Sequence, residues 1–104
     1  VARVGATTHE LAAALALAAD SNITSVELLS LAVHREPSVR AVVAARTDCP
    51  AGALISLGHD HRPEVLLALI TNPRTPSSVV RNLADSKFTP VAHAAEERLR
   101  GIGR

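Results

Sequence analysis

The chain has 104 residues, 47% of them apolar, and a net charge of +1. That length makes it one domain over 1–104, or a fragment of a longer array, able to bury roughly two thirds of its unfolded surface. Near-neutral charge excludes a whole-chain field selective for nucleic acid or acidic lipid, and a single cysteine, Cys49, excludes a disulfide framework and a four-cysteine metal site.

The first helix is predicted over 8–19. Its Leu11–Ala19 stretch is apolar and alanine-rich. It is far short of the roughly 20 residues that span a bilayer. It also follows Thr7, Thr8, His9 and Glu10 instead of a basic segment, so it reads as a helix and not a signal peptide. No other apolar run is longer, and a cytoplasmic location is expected. Thr7 to Glu10 and Thr24 to Glu27 both fit a capping box, in which the Thr hydroxyl accepts a backbone N–H and the Glu reaches back. The second helix is predicted over 25–34. Prolines then open the rest: Pro37 for 37–46, Pro50 for 50–59, Pro63 for 63–71, Pro76 for 76–85 and Pro90 for 90–100. Proline suits a first helical position because its missing N–H has no intrahelical partner there. Thr75-Pro76 and Thr89-Pro90 read as cap-plus-proline pairs. The last helix carries Glu96, Glu97, Arg98 and Arg100, the polarity that a terminal unit needs. Residues 1–6 and 101–104 are expected to be loose.

These helices repeat. Pro37-Ser-Val-Arg-Ala-Val-Val-Ala aligns with Pro63-Glu-Val-Leu-Leu-Ala-Leu-Ile, 26 residues later. Cys49-Pro50 aligns with Thr75-Pro76 at the same interval. Val39, Val65 and Val91 share one register position, as do Leu28, Leu54 and Val80, and Leu31, Leu57 and Leu83. The next position is small in each unit (Ala32, Gly58, Ala84), which lets neighbouring units approach closely. Such a period marks helical units that cannot bury their apolar faces alone. The predicted fold is an all-α, right-handed α-solenoid of about three and a half two-helix units.

Residues 65–85 read Val-x-x-Ala-Leu-Ile-Thr-Asn-Pro-Arg-Thr-Pro-x-x-Val-Val-x-x-Leu-Ala-Asp. This segment resembles the unit of the bacterial leucine-rich repeat variant family, and Pro37-Ser-Val-Arg-Ala-Val-Val-Ala resembles its first half. The likeness covers roughly 24–99, with Asn72-Pro73 replaced by Arg46-Thr47 in the preceding unit. It implies a right-handed superhelix of α- and shorter, often 3₁₀, helices, similar in shape to HEAT arrays. One member of the family carries an iron–sulfur cluster on a Cys-rich segment. That property does not transfer to a chain with one cysteine. The resemblance implies no catalytic residues.

Four constellations carry the remaining chemical signal. His59-Asp60-His61, with His34 near the equivalent helix end, is competent for zinc; the competing reading, a solvated turn, is preferred because the two neighbouring imidazoles need not converge. Arg35, Arg40, Arg46, Arg62, Arg74, Arg81 and Lys87 form a phosphate-binding stripe if they share a face. Interleaved acids and the absence of base-stacking aromatics favour an ordinary mixed surface instead. Cys49 precedes Pro50 at a helix start, yet its register partner is Thr75, which favours packing over reactivity. Ile55, Leu66 and Ile70 occupy positions held elsewhere by Arg81, Arg40 and Ala44, so they mark a partner surface if exposed; the competing reading, that they are simply core, is preferred.

The sequence therefore predicts a non-catalytic protein-interaction scaffold, with no cofactor, metal, membrane or small-molecule substrate. Its partner is another protein or a second copy of the chain. Candidate contact residues are Arg40, Arg46, Ile55, Leu66, Arg74 and Arg81. The alternative is phosphate-backbone binding of nucleic acid along an Arg-lined edge.

Overall fold

The computed structural model describes residues 8–102. Over these residues the chain forms seven helices and no strand: α1 (Thr8–Ala19), α2 (Ser25–Leu31), α3 (Pro37–Ala44), α4 (Ala51–Leu57), α5 (Pro63–Thr71), α6 (Ser77–Leu83) and α7 (Thr89–Ile102). Each of α4 and α6 starts 26 residues after its predecessor α2 or α4, and the same interval separates the starts of α3, α5 and α7.

Proline sets the start of the long helices. Pro37 and Pro63 occupy the first turns of α3 and α5, after Glu36 and Arg62 in extended conformation. That is where a residue preceding proline is driven, because the ring clashes with an α-helical neighbour. Thr24 caps α2 through a complete capping box with Glu27. The Thr7 box lies outside the described residues, as do residues 1–6. At the other end α7 runs through Ile102, so 101 and 102 are helical instead of loose.

Two expectations change at the short helices. Pro50 and Pro76 are the N-caps themselves, with extended backbone, and the helices begin one residue later. Thr75 is therefore not a cap. Its buried hydroxyl donates to the Leu69 carbonyl at 2.7 Å, closing the end of the preceding helix. The short helices also stop early, α2 at Leu31, α4 at Leu57 and α6 at Leu83. Bonds from His34 to Leu31, Asp60 to Leu57 and Ser86 to Leu83 tighten each end into a 3₁₀-like turn. The tighter turn frees the chain to double back toward the next long helix.

Packing follows the same division. Helices α1, α3, α5 and α7 lie side by side in chain order, and α2, α4 and α6 lie against them. The Cα extents are 49 × 32 × 17 Å. Two helix layers with axes about 8–10 Å apart, plus about 2.3 Å of helix radius on each side, account for about 13–15 Å of the short dimension. Val39, Val65 and Val91 are fully buried, as are Leu28, Leu54 and Val80 to within 1%. Each such side chain contributes roughly 1.5–3 kcal/mol by leaving water. The small position works as close contact: a Cβ on Gly58 would sit 2.9 Å from Val79 Cγ1.

Polar side chains join the long helices at their C-terminal ends, and others close the turns before their N-terminal ends. Arg46 Nη1 donates to the Ala18 carbonyl (2.7 Å). Asn72 Nδ2 donates to the carbonyls of Ala44 and Arg46 (both 2.8 Å). Arg98 Nη1 donates to those of Ile70 (2.7 Å) and Asn72 (2.6 Å). The three donors are one period apart, and each satisfies carbonyls at the C-terminal end of the preceding long helix, which have no intrahelical partner. Because like ends are joined, the long helices run parallel. At their N-terminal ends His34 Nδ1, Asp60 Oδ1 and Ser86 Oγ accept the amides of Glu36, Arg62 and Phe88. These three acceptors are again one period apart.

Candidate functional site

The turns that lead from short helix to long helix lie along one edge of the slab, and that edge is hollowed. A depression of about 390 Å³ lies between α4 and α6, floored by Leu66, Val79 and Leu83 and rimmed by Ile55, His61 and Phe88. A second, of about 350 Å³, lies between α2 and α4 and is lined by Ala32, Val33, Arg35, Arg40 and Leu57. They meet at His59, Asp60 and His61, which line both. The two are also related by the period. Ala32, His34, Arg40 and Leu57 in one correspond to Gly58, Asp60, Leu66 and Leu83 in the other. The edge is thus a single groove whose lining is re-specified in each unit.

Its chemistry changes along its length. The α4–α6 depression has an apolar floor and holds Phe88, the single aromatic residue of the chain. Lys87 Nζ lies 5.4 Å from the centre of that ring, within cation–π range. In the α2–α4 depression the position of Leu66 is taken by Arg40, and that of Lys87 by His61. An apolar stripe borders this end: Val26 and Val33 are 76% and 81% exposed, with Leu29 and Ile55 about half exposed. Their counterparts on α6 and beyond are Ser78, Arg81 and Asp85, so the stripe fades toward the C-terminus.

The structure divides the predicted contact residues. Ile55 is exposed on the groove rim, whereas Leu66 is only 4% exposed and belongs to its floor, packed with the core. Arg40 is withdrawn from any surface role. Its Nε and Nη2 bind Asp60 (2.6 and 3.1 Å) and its Nη1 the His34 carbonyl (2.7 Å), so all three nitrogens are used. Burial works to raise the Asp60 pKa, but the Arg40 guanidinium and the Arg62 amide outweigh it and hold the carboxyl below its ordinary range. Arg46 is withdrawn too, gripping Asp48 with Nε and Nη2 (both 2.7 Å) while Nη1 caps α1. The Asp48 hydrogen bond raises the Arg46 pKa, and the same bond lowers that of Asp48. Arg74 and Arg81 are exposed.

The basic residues do not share one edge. Arg46 and Arg74 lie at the turns after the long helices, whereas Arg35 and Arg62 lie at the turns before them, at the opposite helix ends. His34, His59 and His61 do converge on one depression. Among the described residues, however, no group of three His, Cys, Asp or Glu side chains is placed to hold a metal ion. Cys49 is buried, and burial pushes its thiol up to about 11, the opposite of an activated nucleophile. No described helix is long and apolar enough to cross a membrane.

Sequence reasoning missed Val33 and Phe88 as groove residues, and named Lys87 only as part of a basic stripe. Phe88 carried a signal, as the sole aromatic side chain directly before a predicted helix. It also missed that Arg46, Asn72 and Arg98 do one job, although their spacing was visible. Comparison of the chain with protein-family models, curated proteins and solved structures finds no significant match.

Proposed function

We propose that this chain is a non-catalytic protein-interaction scaffold. In this reading its two-helix units form a right-handed solenoid of the leucine-rich repeat variant type, and a protein segment binds along the edge groove. One observation carries the reading: most of the residues lining one depression have counterparts 26 residues away in the other, Ile55, Ser78, Val79 and Phe88 being particular to the α4–α6 side, and the two share a common wall. A catalytic cleft needs one set of converging groups at one place. A groove that recurs with the scaffold suits an extended ligand read unit by unit, at little ordering cost to a rigid host. The phosphate-binding alternative is weakened by the full engagement of Arg40 and Arg46 and by the split of the remaining arginines between opposite edges.

Self-association has its own supporting observation. Ala13 shares the register of Val39, Val65 and Val91, yet it is exposed where they are fully buried. A second chain laid on α1 is the variant form of the proposal.

Panning a random twelve-residue peptide library against the chain tests the main reading. Selected peptides are expected to lose binding to Ile55→Glu and Phe88→Ala proteins that keep native circular dichroism. Selection of no groove-dependent peptide overturns it. So does an oligonucleotide that binds with a steep salt dependence and is released by Arg74→Glu and Arg81→Glu.

A further inference from the structure

We infer that the groove takes an extended acidic segment, with one apolar side chain seated between α4 and α6 and carboxylates following at three-residue intervals; this rests on the scaffold reading above. The first element of the argument is the floor. Leu66, Val79, Leu83, Ile55 and Phe88 surround about 390 Å³, room for one large apolar side chain. The second is charge and hydrogen bonding. Arg35, His61 and Lys87 occupy one register position in three successive units and line the groove, so two cations flank an imidazole that can donate an N–H to a carboxylate. Across the groove's length the one carboxylate in both linings, Asp60, is already matched by Arg40. The ion pair of Arg35 with Glu10 is solvent-exposed on both sides (57% and 55%), so a ligand carboxylate can exchange into it with little loss.

The third element is spacing. Neighbouring packed helices lie about 8–10 Å apart, and an extended chain rises about 3.3 Å per residue. One unit of the scaffold therefore matches about three residues of ligand. A helical ligand, at about 1.5 Å per residue, would need about five to seven residues per unit, so its carboxylates would be spaced at about twice the interval expected of an extended one. The fourth element is polarity. The position that is Leu66 under the apolar seat is Arg40 one unit back, so the seat is not repeated. Ligand orientation is fixed by this difference: the apolar anchor goes to the Phe88 end and the acidic run points toward Arg35.

Three labelled twelve-residue peptides test the inference by fluorescence anisotropy. Each carries one Leu anchor in a Ser/Gly background with Glu, Gln or Lys at three-residue intervals. The Glu peptide is expected to bind at least about tenfold more tightly than the Gln peptide, and the Lys peptide not at all. With an Arg35→Glu/Lys87→Glu double variant the order of Glu and Lys peptides is expected to invert, while Ile55→Glu abolishes binding of every peptide. Equal binding of all three peptides, still lost in Ile55→Glu, overturns the acidic ligand and leaves the scaffold reading standing. Absence of binding by all three overturns the inference, and if the random library is also silent, the scaffold reading with it. Tighter binding of a single-stranded oligonucleotide than of the Glu peptide, through the same three residues, assigns them to phosphate and overturns the peptide ligand.

Discussion

Asn72 is the residue whose replacement tests the architecture most sharply. It is 1% exposed and makes three hydrogen bonds, donating to the Ala44 and Arg46 carbonyls and accepting the Arg74 amide. At about 0.5–1.5 kcal/mol net for each bond, truncation in Asn72→Ala is expected to cost about 2–4 kcal/mol. A domain of this size has about 5–15 kcal/mol in total, so the loss lowers the melting temperature by roughly 10 °C or more. Asn72→Asp is the more informative change because it keeps the shape and the bond from Arg74. It removes both donors and sets a carboxylate oxygen against two carbonyl oxygens in a buried site. At pH 7 it is expected to be at least as damaging as Asn72→Ala. The new carboxyl has a raised folded pKa, since burial and the facing carbonyls both oppose its charge. The unfolded chain then ionises first as pH rises, so stability of Asn72→Asp falls upward from about pH 4, the unfolded carboxyl value. Urea melts of the three proteins at pH 4.5 and pH 7 measure this. A pH 7 midpoint for Asn72→Asp equal to that of the native chain would refute the donor role of Asn72.

Gly58→Ala forces a Cβ to 2.9 Å from Val79 Cγ1 and is expected to destabilise by about 1–3 kcal/mol. Adding Val79→Ala should recover most of it, since the equivalent pair one unit earlier is Ala32 and Ala53; a double-mutant cycle by urea melts reads the coupling. Asp60, held below its ordinary range, contributes stability that is full above about pH 5 and is lost as pH falls through its depressed value. Asp60→Asn, which keeps the shape and loses the charge-assisted bonds to Arg40, is expected to cost about 1.5–3 kcal/mol at pH 7 and to flatten that acid limb, with the two proteins converging in acid melts. Cys49, with its thiol pushed up to about 11 inside the core, should react with a thiol reagent at pH 8 at least about a hundredfold more slowly than in urea-unfolded chain. Equal rates in the two states would remove Cys49 from the core.

The helix count and the order of elements were legible because proline and capping residues are local signals. Pro37 and Pro63 act on their own φ and on one neighbour, so sequence suffices to place them. The thirteen-or-so residues around each short helix were harder. Whether Thr75 caps α6 or closes α5 depends on where the Leu69 carbonyl lies, which is a question about the neighbouring helix. The same holds for the arginines. Arg40, Arg46 and Arg74 look alike in sequence, yet two are fully bonded and one is exposed. What separates Arg40 is Asp60, twenty residues on, and what separates Arg46 is the end of α1, twenty-eight residues back. The alternation of Ile55 with Arg81 did point to the rim of the groove, because a position that accepts both apolar and charged side chains faces water. The paired change of Leu66 with Arg40 had a different origin, a buried floor position that tolerates a guanidinium when Asp60 answers it.

The donors at 46, 72 and 98 all point backwards along the chain, and this gives the assembly a direction. Every long helix before the last is finished by a side chain that belongs to its successor. Removal of α7 takes Arg98 away from the carbonyls of Ile70, Asn72 and Thr75 and damages the part left behind. Removal of α1 releases Arg46 from Ala18 but leaves the closures of α3 and α5 whole. Trimming from the two termini is therefore inequivalent for these carbonyls: loss of α7 leaves the end of α5 open, whereas loss of α1 opens no helix end that remains. For a chain emerging from the ribosome, the same asymmetry means that each long helix waits for the next unit before its last carbonyls are satisfied.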